Sequence, residues 1–136
     1  MLCSQAVYEG TIRLLNSFKK FRIDVNFTDF SNLKRVKQAI RKATRVLWLE
    51  TPSNPTLKEF DIKSISKIAK SRNILLVVDN TLATPILQNP LNLGADVVLH
   101  SSTKFISGHN DVTGGCIVLN NKKLQKQLKY IQHTIG

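Results

Sequence analysis

The sequence predicts an α/β fold, a mostly parallel sheet flanked by helices. Short apolar runs (VLWL, ILLVVD, ADVVLH) alternate with stretches whose apolar residues recur at helical spacing. ILLVVD is apolar throughout, as in a strand covered on both faces. Three of the runs lead into polar or breaker-rich loops, ETPSNP, DNTLATP and HSSTKFISGH. Right-handed strand–helix–strand connections bring such loops to one rim of a sheet, where ligands gather.

Each element has a local reason. The first twenty residues read as a helix, QAVYEGTIRLLNSF, with no strand ahead of it. Ile23 to Phe27 reads as a short strand. Ser31 is expected to cap a helix with Leu33, Val36 and Ile40 on one face. Val46 to Leu49 forms the next strand, ending at Glu50 before the breakers of TPSNPT. Asp61 caps a second helix that turns Ile62, Ile65, Ile68 and Ala69 inward. After ILLVVD comes a Pro-punctuated connection, TPILQNPLNLG, with room for one short helix. ADVVLH and CIVLN complete the strands. A polar helix from about Asn121 to His133 follows, with Leu124, Leu128 and Ile131 on one side.

A chain of 136 residues fits one domain and can bury a real core. Its formal charge of +11 raises the possibility of an anionic partner. The charges sit in amphipathic stretches, NLKRVKQAIRKA and NNKKLQKQLKYIQ, as on ordinary solvated helix faces. They are not interleaved with aromatic residues, so a basic nucleic-acid-binding domain is the weakest of the readings. Cys3 and Cys116 stand far apart and have no metal-ligand spacing, which fits free thiols in a reducing compartment. The longest apolar run, Ile74 to Val78, is too short for a bilayer, and no secretory pattern opens the chain. The expectation is a cytoplasmic protein without a membrane partner.

Asp79 ends the most apolar strand, and by itself is as well explained as a turn cap in DNT. Lys104 alone is as well explained as a solvated loop lysine. Ser101 and Thr103 flank it, and can satisfy loop backbone groups. Together these residues suit a Schiff-base cofactor. Such a cofactor needs a positioned amine, an aspartate at a pyridine nitrogen, and hydroxyls for a phosphate tail. His109 and Asp111 read as residues that fix the loop after Lys104. Glu50 is either an orienter or a strand-end cap, and Trp48 belongs to the core.

LETPSNPT, VVDNTLATP, LGADVVLHSSTK and GHNDV, in that order, resemble the Cys/Met-metabolism family of pyridoxal-phosphate enzymes. That family includes cystathionine γ-synthases, cystathionine β- and γ-lyases and methionine γ-lyases. The resemblance runs from VYEGTIRL to YIQHTIG. It implies the large cofactor-binding domain of aspartate-aminotransferase-like (fold type I) enzymes, truncated at both ends, with residues 1–136 as a partial domain binding pyridoxal 5'-phosphate. Lys104 corresponds to the lysine that carries the cofactor covalently and moves protons between substrate carbons. Asp79 corresponds to the partner of the pyridine nitrogen, and Ser101 and Thr103 to phosphate-binding hydroxyls. Tyr8 corresponds to the tyrosine that stacks on the ring and assists proton transfer, and Asn54 to an asparagine beside the phenolic oxygen. Glu9 stands where glycine is common and Phe105 where tyrosine is common.

The implied activity is β- or γ-elimination or γ-replacement on a small sulfur amino acid, with a cystathionine lyase slightly favoured over the synthase. The implied assembly of the full-length form is a homo-oligomer, a dimer of dimers. The family's glycine-containing phosphate loop and its carboxylate-clamping arginine are expected outside this stretch. The rival from another class is a catalytically impaired remnant that keeps the fold.

Overall fold

The computed structural model describes residues 1–136. One sheet of six strands runs through it in the order β2-β1-β3-β4-β5-β6. The strands are β1 (Leu2–Ser4), β2 (Asn26–Thr28), β3 (Val46–Glu50), β4 (Leu75–Asp79), β5 (Val97–Ser101) and β6 (Gly115–Val118). All neighbours pair in parallel except β5 with β6, which is antiparallel. The helices are α1 (Glu9–Ser17), α2 (Leu33–Ala39), α3 (Ile62–Lys70), the single turn α4 (Thr84–Leu87) and α5 (Lys122–Ile135).

Alternation along the strands divides the core in two. Leu47, Leu49, Leu76, Val78 and Val98 point to one face and pack with Val36 of α2 and Ile62, Ile65 and Ala69 of α3. Each of these leucine, isoleucine and valine side chains contributes roughly 1.5–3 kcal/mol relative to exposure. Cys3, Val7 and Leu15 form a smaller cluster on the other face, with Trp48 and Phe27 against it. Asp61 caps α3 as expected, accepting the Ser64 amide at 3.0 Å, and Ile62, Ile65, Ile68 and Ala69 are all buried. α5 has no buried residue, and Ile117 and Val118 of β6 stay 50% and 41% exposed.

Four local expectations are corrected. A strand, β1, does precede the first helix, and α1 starts at Glu9 and not at Gln5. Three residues are too few to show a period, and β1 owes its conformation to pairing with β2 and β3. The second strand occupies Asn26–Thr28, later than Ile23–Phe27, because Cys3 fixes its register opposite Phe27. Asn32, not Ser31, caps α2: Asn32 accepts the Lys34 and Arg35 amides at 3.1 Å, while the Ser31 hydroxyl and amide are both given to Asp29. Finally, β4 is fully covered on one face only, since Leu75 is 40% exposed and Val77 is half-buried.

The parallel order brings the carboxyl ends of β3, β4 and β5 side by side. Glu50 lies opposite Asp79, and Asp79 opposite Leu99, two residues before Ser101. The loops leaving these ends share one rim.

Candidate active site

A cavity of about 540 Å³ opens on that rim. Its lining contains Tyr8, Asn54, Asp79, Ser101, Thr103 and Lys104, the six residues to which the resemblance gives a cofactor role, although they come from four separate segments. Glu50, Thr81 and Phe105 also line it.

Asp79 sits at the last position of β4. Its Oδ1 accepts the Thr81 amide at 3.0 Å and the Thr81 hydroxyl at 2.6 Å. Oδ2 takes no hydrogen bond from within the chain. Asp79 therefore caps the turn and also lines the cavity. The Thr81 hydroxyl also accepts the Ser101 amide at 2.9 Å, joining the ends of β4 and β5. Thr81 was not singled out from the sequence; its position two residues after a strand-ending aspartate, the spacing of an Asx-type turn, was the available signal.

β5 runs directly into a π-helical turn, Ser102–Ile106. Within it Lys104 adopts φ −90° and ψ −124°, outside helical values. A continuous helix would line up successive side chains on its surface, whereas this break gives the lysine a direction of its own. Its ammonium pairs with no carboxylate, since the one ion pair in the chain joins Arg13 to Glu9. The Ser101 hydroxyl takes no hydrogen bond. The Thr103 hydroxyl accepts the Gly114 amide at 2.9 Å and donates to the Gly114 carbonyl at 3.2 Å, so it also holds the loop closed. His109 does hold its loop, its Nδ1 lying 2.8 Å from the Ser107 carbonyl. Asp111 makes no hydrogen bond.

Tyr8 precedes α1 and is 51% exposed. Its ring lies back over the start of the helix. A Cβ added at Gly10 would come within 3.0 Å of the ring's Cδ1, so the glycine in VYEGT leaves room for the tyrosine. Glu50, at the end of β3, accepts the Tyr8 amide at 2.7 Å and the Asn54 amide at 2.7 Å. Burial pushes the Glu50 carboxyl above its ordinary range; the two amides pull it down and the nearby Asp79 charge adds to the rise. On the far side of β5, His100 is buried with its Nδ1 unpartnered, and Trp48 Nε1 also lacks a partner.

The family model for Cys/Met metabolism PLP-dependent enzymes matches residues 1–136. The chain belongs to this family. A cystathionine beta-lyase of Coxiella burnetii is 47% identical over 133 residues, covering 96% of this chain and 34% of that protein. A cystathionine gamma-synthase of Mycobacterium leprae is 46% identical over 131 residues, covering 96% of the chain and again 34% of the relative. Among solved structures, a cystathionine gamma-lyase from Lactobacillus plantarum complexed with L-serine superposes with a TM-score of 0.97 at 40% identity, over 99% of this chain and 36% of that one. The chain spans about a third of the length of these relatives. The family's cofactor is pyridoxal 5'-phosphate, and the mostly parallel sheet with flanking helices is the family's fold. No helix is long and apolar enough to cross a membrane.

Proposed function

We propose that residues 1–136 form part of the cofactor-binding domain of a pyridoxal-phosphate enzyme acting on sulfur amino acids, by β- or γ-elimination or γ-replacement. Among these a cystathionine lyase is preferred over the synthase. The observation that carries the reading is the meeting of Lys104, Asp79 and Tyr8 around one cavity.

The donor set suits the cofactor group by group. Asp79 Oδ2 is free to accept a pyridine N–H, and Thr81 keeps the carboxylate turned for it. The Tyr8 ring offers a flat face, which stacking requires. The Asn54 amide can donate to a phenolic oxygen without adding charge. The Ser101 hydroxyl is free for a phosphate oxygen, and Thr103 can join it by turning its proton away from Gly114. When bound, pyridoxal phosphate supplies an electron sink that makes a proton beside an amino group acidic.

Against that background Lys104 has two tasks. Its Nζ would hold the cofactor covalently, and the same amine, when free, would serve as the base for the proton on the substrate α-carbon. Asp79 would keep the ring nitrogen protonated, because a negative charge beside it favours that form. Tyr8, on the cavity wall, would hold the ring from one side and assist proton transfer at the amino group. In the full-length form we expect a cytoplasmic homo-oligomer, a dimer of dimers, with a small sulfur amino acid as substrate.

The test is an absorbance spectrum of the purified chain with pyridoxal phosphate, before and after borohydride, beside Lys104→Ala. The reading predicts a visible band and reductive fixation in the wild type only. Identical spectra for the two proteins would overturn the assignment of Lys104.

A further inference from the structure

Glu50 is 4% exposed, yet no cation pairs with it. Its charge is held by backbone amides, one on each carboxylate oxygen. Oε2 accepts from Tyr8, 42 residues away, and Oε1 from Asn54, 4 residues away. At 2.7 Å both are short, charge-assisted bonds.

The two segments that meet on Glu50 are the ones whose side chains have least else to place them. Tyr8 and Asn54 are both exposed, and neither side chain takes a hydrogen bond within the chain. Whatever order they have at the cavity wall comes through the backbone. Glu50 itself is anchored in β3, paired in register with Asp79 of β4. The strand end is thus a fixed post to which both segments are tied.

We propose that Glu50 is a positioning residue, clamping Tyr8 and Asn54 beside the cavity that Asp79 and Lys104 also line. The clamp stands on geometry alone. Its consequence for cofactor binding rests on the reading given above. The chemistry demands a carboxylate, because both oxygens must accept. A glutamine of the same shape would turn an NH2 donor against one of the two amides, leaving a donor facing a donor. An aspartate keeps two acceptors but is one methylene short.

Backbone amide exchange of the cofactor-free chain, resolved by NMR, tests the clamp directly. In the wild type the Tyr8 and Asn54 amides should exchange about tenfold or more slowly than those of Glu9 and Thr56, which make no hydrogen bond. In Glu50→Gln at least one of the two should lose about tenfold of that protection. The core amides of Ile65 and Leu76 should not change, and Glu50→Asp should recover part of the loss. Pyridoxal-phosphate affinity should fall about tenfold in Glu50→Gln, in step with the lost protection.

Fast exchange of Tyr8 and Asn54 in the wild type would overturn the clamp, even if Glu50→Gln does not fold. Lost protection without lost cofactor affinity would overturn the positioning role. A wild-type chain that takes up no cofactor would instead refute the cofactor reading, with the clamp still judged by exchange.

Discussion

The Thr81 hydroxyl donates to Asp79 Oδ1 at 2.6 Å and accepts the Ser101 amide at 2.9 Å, so a single oxygen couples the ends of two neighbouring strands. Its removal leaves the aspartate with one amide on Oδ1 and the Ser101 amide with none. Thr81→Val, equal in shape, is therefore expected to weaken pyridoxal-phosphate binding about tenfold, the value of one charge-assisted bond. Fluorescence titration of both proteins measures it, and an unchanged affinity would remove Thr81 from the site.

Asn80, between Asp79 and Thr81, has no exposed surface. Its Nδ2 donates to the Thr84 carbonyl at 3.1 Å and the Gln88 carbonyl at 2.9 Å, and its Oδ1 accepts from Gln88 Nε2 at 2.7 Å. These bonds fold the Pro-rich connection back against the strand end. Asn80→Leu would leave several buried polar groups without partners and should cost about 3 kcal/mol. Urea unfolding provides the figure, and a loss below about 1 kcal/mol would show that the connection finds other partners.

The two cysteines should behave oppositely. Cys3 has no exposed surface, and burial, helped by the Glu50 charge, pushes its thiol up to about 12. The thiolate is the nucleophile, so Cys3 should resist iodoacetamide in the folded chain. Cys116 is exposed. Mass spectrometry at roughly pH 8 should find Cys116 alone alkylated, and Cys3 only after denaturation. Rapid labelling of Cys3 would mean that β1 opens readily.

His100 supplies a pH dependence. It is 5% exposed, and burial pushes its pKa below the ordinary value, against the Asp79 charge and a backbone bond at Asn80. As pH falls, the unfolded chain therefore takes up its proton first. The stability contribution is complete above about pH 6.5 and declines below it, toward the folded value. The urea midpoint should be lower at roughly pH 5.5 than at pH 7.5, and His100→Gln should narrow that difference. An equal difference in both proteins would assign the effect to other groups.

Much of this organisation was legible in the chain itself. Asp61 before a row of isoleucines announced α3, because a capping carboxylate and a buried stripe are both local patterns. The six candidate site residues, which line one cavity, were legible by residue type and by their resemblance to a known family, as were the loops that gather them. β1 was not, because three residues carry no period and two neighbouring strands impose its geometry. Nor were the partners of Glu50: a carboxylate at a strand end has the same sequence signature whether it caps or clamps.

The sequence by itself determined the alternation of strand and helix, the polar rim at the strand ends and the reactive groups placed there. These depend on period, capping and residue chemistry, which act over a few positions. The tertiary structure alone decided that Tyr8 reaches the same cavity as Lys104, and that Glu50 and Thr81 hold its walls. Those contacts join residues up to 42 positions apart. They form only when parallel pairing brings β1, β3, β4 and β5 side by side, because only then do distant amides and carboxylates come within hydrogen-bond range.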